Sequence, residues 1–351
     1  MGFHLNTTLI VRFSSVGDIV LSSLLIRALR TRFPQSEIDF LVKEQYADLV
    51  RHNPHLTRTL VLPAGGSASD LRHLRSRVRH SGYDLIIDIH DSLRSRYLCF
   101  GAPFVVRVRK RKLARFALVH GKRDLYARFG GDPSVALRYL EPVRQLGVCD
   151  DGRGLEVFVT EQDHCEAADA LAAAGIPAGT PVLGICPTSR HVTKMWPSDR
   201  FAGAASAIGA GHGLPVVIFG AESEREQCAA IAGAIGRERP ALRVATLAGS
   251  LSLTATAAVM DSCALVLTND SGLMHLASAR KRKVLALFGP TVRQFGFFPF
   301  GTESRVIEEH GLSCRPCSSI GGPVCPEGHF RCMLDIMVDR VAGEAAEILG
   351  R

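Results

Sequence analysis

A chain of 351 residues, 46% hydrophobic and 22% charged, has enough apolar material for two cored domains. No apolar stretch approaches the roughly 20 residues that a membrane span requires, and Met1 to Arg12 carries no signal-peptide pattern because Arg12 cuts short Leu9-Ile10-Val11. A cytoplasmic protein is expected. The net charge of +8 is lopsided: residues 1 to 150 hold 24 Lys/Arg against 13 Asp/Glu, and the remainder holds 18 against 21.

In chain order, Thr8 to Phe13 reads as a buried strand, Ser14 to Asp18 as a tight loop, and the apolar spacing from Ile19 to Leu29 as a helix stopping at Phe33-Pro34. Further strands are predicted at Ile38 to Val42, Arg58 to Leu62, Asp84 to Ile89 and Pro103 to Val108, separated by helix-length segments. Residues from about 150 to 180 break this rhythm and read as a linker holding a helix from Gln162 to Ala174. The alternation restarts with strands at Val182 to Cys186, Pro215 to Gly220, Ala264 to Thr268 and Val284 to Gly289. Helices are predicted near Ser198 to Ile208, Ser223 to Ile235, Ser252 to Asp261 and Gly272 to Ala279. Two doubly wound α/β domains with parallel sheets follow from this pattern, with ligands expected at the carboxyl ends of the strands and a working cleft between the domains.

The basic half holds 12 Lys/Arg and three acids from Arg72 to Arg115, including Arg107, Arg109, Lys110, Arg111 and Lys112. Such a field favours an anionic partner over a neutral one, or is simply a solvated face. No zinc-finger, RNP or helix-turn-helix signature accompanies it, so nucleic acid is not expected. Gly209-Ala-Gly211-His-Gly213 imitates a nucleotide loop but follows a helix, where a glycine turn ends the helix instead.

Three strand-to-helix junctions offer chemistry. Ser14-Ser15-Val-Gly17-Asp18 puts a carboxylate at a helix start, as either an N-cap or a reactive base. Asn269-Asp270-Ser271-Gly272-Leu273-Met-His275 opens a helix with small residues whose N–H groups suit a diphosphate, or are merely capped. Pro187 to Pro197 supplies Thr188, Ser189, Lys194 and the single tryptophan, Trp196. A lysine there would neutralise a leaving phosphate or lie at the surface. Among ten cysteines, Cys314, Cys317, Cys325 and Cys332 fall within 19 residues. That spacing suits a structural zinc site, though the second pair lacks knuckle spacing and a plain thiol cluster is the alternative.

Taken in order, Arg12 to Asp18, Tyr83-Asp84-Leu-Ile-Ile-Asp88, Thr188 with Lys194-x-Trp196-Pro197, Phe219-Gly220-Ala221, Asn269 to Leu276 and Leu287 to Thr291 resemble the bacterial lipopolysaccharide heptosyltransferases. The resemblance covers nearly the whole chain, and the late cysteine stretch is similar to that of heptosyltransferase II-like members. It implies a GT-B fold, with an acceptor-binding Rossmann-like domain at 1–165 and a nucleotide-sugar-binding one at 176–351, the last helix packing back on the first. It implies inverting transfer from ADP-heptose to the anionic inner core of lipopolysaccharide without a catalytic metal, by a monomer peripheral to the cytoplasmic face of the inner membrane. Asp18 is then the general base, with Ser14, Ser15 and Gly17 shaping its pocket and Arg109 and Arg111 meeting the acceptor. Lys194, Thr188, Ser189, Asp270, Ser271, Gly272, Leu273 and His275 belong to the donor site, and Glu222 or Glu224 accepts from the ribose. A nucleotide-sugar epimerase of similar architecture, or a noncatalytic binder of anionic lipid or glycan, are the competing expectations.

Overall fold

A computed structural model describes residues 5–130 and 133–350. The chain divides into two compact units, Met1–Lys110 with Ser134–Phe158, and Arg111–Pro133 with Val159–Arg351.

The first unit runs β1 (Thr7–Val11), α1 (Val16–Leu21), α2 (Ser23–Arg32), β2 (Glu37–Lys43), α3 (Asp48–Arg51), β3 (Arg58–Leu62), α4 (Ala68–His80), β4 (Leu85–Asp88), α5 (Leu93–Leu98) and β5 (Val105–Arg107). Its parallel sheet has the order β3-β2-β1-β4-β5. β1 lies at the centre because Leu9, Ile10 and Val11 are apolar on both faces, as a strand covered by helices on each side requires. The strand order reverses between β1 and β4, where Val11 pairs with both Leu41 and Asp88. That is the switch point at which ligands bind in doubly wound sheets.

The single helix expected after β1 is two, because Ser22 closes α1 and its hydroxyl donates to the Ile19 carbonyl at 2.6 Å. A serine hydroxyl that bonds the preceding turn competes with the helical ladder. The Tyr83-Asp84 pair proves to be scaffolding. Asp84 accepts from the N–H groups of Asn6 and Thr7 at 2.8 and 3.0 Å, and the Tyr83 hydroxyl donates to buried Asp39 at 2.6 Å.

Next come α6 (Lys112–Gly121), which clusters with the second unit, and α7 (Val135–Leu140), which returns to the first. The segment read as a linker is anchored where it begins. Arg27, 1% exposed on α2, pairs with Asp151 at 2.6 Å and Glu156 at 2.8 Å and donates to the Gly154 carbonyl at 2.7 Å.

The second unit continues with α8 (Glu161–Ala173), β6 (Val182–Cys186), α9 (Ser198–His212), β7 (Val216–Ile218), α10 (Arg225–Glu238), β8 (Val244–Thr246), α11 (Leu253–Met260), β9 (Cys263–Asn269), α12 (Gly272–Ala279), β10 (Val284–Phe288), β11 (Ser304–Glu308), α13 (Arg331–Leu334) and α14 (Val338–Leu349). Its six parallel strands are ordered β11-β10-β9-β6-β7-β8, so the switch point lies between β6 and β9. Cys186 pairs with Thr268 there, and the two loops that follow leave the sheet side by side. Gly213 caps α9 in a left-handed conformation, which accounts for the glycines at 209 to 213. Val341, Ala345 and Ile348 of α14 enter the core of the second unit with Leu285 and Ile307, because that face is apolar and the opposite one charged.

Candidate functional site

In the first unit the loop after β1 turns beneath Asp18, which sits in the first turn of α1. Its Oδ2 meets the Arg12 guanidinium at 2.5 Å and the Ser15 hydroxyl at 3.1 Å, while its Oδ1 accepts from the Tyr139 hydroxyl at 3.0 Å. Arg12 is itself fixed by the carbonyls of Ser14 and Ile89, each at 2.7 Å, so the switch-point strands jointly aim it. Burial works to raise the Asp18 pKa, but Arg12, Tyr139 and Ser15 outweigh it and hold the carboxyl below its ordinary value. The side chain keeps 17% exposure. Each carboxylate oxygen has two lone pairs, and the donors present leave room for another proton.

His90 lies beside this group with its ring 4.8 Å from that of Phe13. Burial, then Arg12 and Lys110, pull its pKa down to about 3, so the imidazole is neutral. Asp88 accepts from the N–H groups of His90 and Asp91 at 3.1 and 2.8 Å, which shapes the loop after β4. Tyr139 and His90 carried no signal in the sequence. Tyr139 stands 121 residues from Asp18 on α7, in no local motif.

In the second unit Lys194 reaches Asp270 Oδ2 at 2.6 Å, to which the Thr291 hydroxyl also donates at 2.7 Å. Ser189 donates to the Asp270 carbonyl at 3.0 Å. Asn269 joins the two loops, accepting from the Trp196 N–H at 3.0 Å and donating to the Pro187 carbonyl at 2.7 Å. Thr188, Ser189, Lys194, Asp270 and Ser271 are thereby held at the carboxyl ends of β6 and β9. Ser271 precedes α12 without a side-chain cap, and Gly272 is the first helical residue. The N–H groups of that first turn carry the positive end of the helix dipole.

The remaining predicted residues have contacts of their own. His275 is 2% exposed, its ring facing Phe297 at 6.4 Å. Glu224 accepts from the Ala221 N–H at 2.7 Å as a helix cap, and Glu222, exposed, pairs with Arg225 at 2.5 Å. Arg109 is exposed in the first unit, whereas Arg111 belongs to the second, its guanidinium 4.4 Å from the Phe129 ring centre.

Cys314, Cys317, Cys325 and Cys332 lie close together: burial first, and then the neighbouring thiols, raise the pKa of Cys317 and of Cys332. All ten cysteines are free, and among the described residues no group of three or more His, Cys, Asp or Glu is placed to hold a metal ion. Cys332 is drawn into the hydrophobic core at 5% exposure, and Cys314 Sγ faces His329 at 3.8 Å. The loop carrying these thiols also braces Lys194. Thr193 and Gly322 exchange hydrogen bonds at 2.8 and 3.2 Å, and a Cβ added at Gly321 would meet His191 at 2.8 Å and Lys194 at 3.1 Å. The sequence spacing drew attention to the thiols, but the glycines make this contact.

A family model described as glycosyltransferase family 9 (heptosyltransferase) matches residues 71–324. The chain belongs to this family. It is 26% identical to lipopolysaccharide heptosyltransferase 2 of Escherichia coli (strain K12) over 352 residues, covering 97% of this chain and 98% of that relative. A family 9 glycosyl transferase from Veillonella parvula superposes with a TM-score of 0.80 at 23% identity, over 99% of this chain and 98% of the other. The E. coli ADP-heptose LPS heptosyltransferase II does so with 0.72 at 24% identity, over 98% of each. This heptosyltransferase therefore has the GT-B fold, and its family is that of lipopolysaccharide core biosynthesis. Among the described residues no helix is long and apolar enough to cross a membrane.

Proposed function

We propose that the enzyme transfers heptose from ADP-heptose, with inversion, to a hydroxyl of the lipopolysaccharide inner core at the cytoplasmic face of the membrane. The first unit binds the acceptor and the second the nucleotide sugar. The observation that carries this reading is the contrast between the two switch points. One presents an ionised carboxylate, Asp18, braced by Arg12 and Tyr139. The other presents an ammonium, Lys194, braced by Asp270 beside the open first turn of α12.

Asp18 accepts the acceptor hydroxyl proton as that oxygen bonds to the anomeric carbon and the bond from carbon to the diphosphate oxygen breaks. The electron pair leaves on ADP. Its growing charge is met by Lys194, by the Thr188 hydroxyl and by the N–H groups of Ser271, Gly272 and Leu273, with no catalytic metal. One Lys194 proton engages Asp270, and two remain for phosphate oxygens. Ser14, Ser15 and Gly17 border the base, Arg109 of the first unit supplies charge toward an anionic acceptor, with Arg111 adding to it from the second, and Glu222 accepts from the ribose hydroxyls.

The deciding experiment is incubation of ADP-heptose with a panel of truncated core acceptors in the presence of a chelator. Heptosylated product is expected with Kdo- or heptosyl-Kdo-terminated acceptors. Asp18→Asn lowers kcat by about 10² to 10⁴ while ADP affinity is preserved. Consumption of the donor without acceptor, or full turnover by that variant, overturns the reading.

A further inference from the structure

We propose that the outer face of α4 and α5 in the first unit docks on an anionic phospholipid bilayer, its arginine depression seating a lipid phosphate. On α4, Arg72, Arg75, Ser76 and Arg79 recur at i, i+3, i+4 and i+7 and so share one face, while Leu74 and Val78 fix the helix to the core. With His80 and Tyr97 those four residues line a depression of about 440 Å³. Among the described residues Arg72, Arg75 and Arg79 enter no ion pair and their guanidinium groups make no hydrogen bond. The Arg75 guanidinium lies 4.7 Å from the Tyr97 ring centre and 5.2 Å from that of Phe100, and its Nε is shielded from solvent without an acceptor. A buried donor left unpaired costs stability, and an anionic oxygen entering the depression would satisfy it.

The neighbouring chain is what selects a bilayer. Leu93 on α5 is 87% exposed, Phe100 just after it 70%, and Phe104 before β5 67%. A solvated basic face has no need of such side chains, and a charged polymer would be held by the arginines alone. Cations beside unpacked apolar groups match the layered chemistry of a membrane interface, phosphate outside and acyl chain beneath. This inference goes beyond the transfer reaction and does not depend on which hydroxyl accepts the sugar.

The test is co-sedimentation of the full chain with phosphatidylglycerol-containing vesicles and with phosphatidylcholine vesicles. The protein is expected to bind the first, to be released by salt, and to ignore the second. Arg75→Glu with Arg79→Glu, and separately Phe100→Ser with Phe104→Ser, should each weaken partitioning by at least about tenfold, while heptosyl transfer to a soluble truncated acceptor is retained. Arg72→Gln with Arg79→Gln, confined to exposed positions, guards against misfolding and should weaken binding in the same sense. Arg331→Gln, an exposed arginine of the second unit, should bind as the parent does. Equal binding to both vesicle types, parental binding by the variants on α4 and after α5, or an equal loss in Arg331→Gln overturns the proposal. Failure of transfer with intact vesicle binding would instead count against the acceptor assignment.

Discussion

Asp18 gathers three donor residues around one carboxylate, and they act in opposite senses on the work as a base proposed for it. Arg12 and Tyr139 keep it ionised against the pull of burial, which makes the base form available, but each also weakens its appetite for a proton. Tyr139→Phe removes one donor and leaves the burial. The Asp18 pKa then rises toward its ordinary value, the protonated form persists to higher pH, and the acidic limb of the kcat/KM profile moves upward. An unmoved limb would show that Tyr139 does not hold the reacting carboxylate. His90, pulled down to about 3 by burial and Arg12, titrates in the same acidic range, but Tyr139 is not among the groups that shift it, so the displacement of the limb in the variant identifies Asp18.

Among elements, α2 shows how a residue that reads as a surface charge can organise the chain. Arg27 ties Asp151, Gly154 and Glu156 to the first unit, and its hydrogen bond to Asp151, ahead of the opposing effect of burial, pulls that carboxyl down to about 2. Arg27→Leu strands two partly buried carboxylates and is expected to cost about 3 kcal/mol, the low end for a broken buried pair because Asp151 and Glu156 keep some water. Urea unfolding measures it. A folded pKa below the unfolded value of about 3.9 means that the stabilisation is complete above that value and fades as pH falls through about 2. The deficit of the variant should therefore shrink in strong acid, and a difference below about 0.5 kcal/mol at neutral pH would contradict the clamp.

The same scale explains what the sequence disclosed. β3, β6 and α12 were legible residue for residue, because continuous apolar runs and a small-residue helix start are local signals. β8 and β11 were not, since β8 is only three residues long and β11 sets Val306 and Ile307 among Ser304, Arg305 and Glu308. Asp18, Lys194 and Asp270 stood out through their junctions, whereas Tyr139, Arg27 and the Gly321 contact depend on partners that only the fold brings near.

For the whole molecule, charge must be counted by compact unit and not by halves of the sequence. Residues 111 to 133 hold six Lys/Arg against two acids and cluster with the second unit, so the units carry 19 basic against 13 acidic and 23 against 21 residues. The first unit remains the more cationic, but the excess there is smaller than the division at residue 150 implied. Long-range attraction of the proposed acidic acceptor then comes from a diffuse field of both units, screened over about 10 Å at 0.1 M salt. In the proposed donor site a diphosphate at Lys194 and α12 would meet its charges at contact distance, where screening is weaker. Between about 0.05 and 0.5 M salt, KM for a soluble truncated acceptor should rise by roughly tenfold and KM for ADP-heptose by less than about threefold. Steady-state kinetics across that series checks it. A donor KM that climbs as steeply as the acceptor KM would mean that nucleotide capture, too, relies on the distant field and not on the braced lysine.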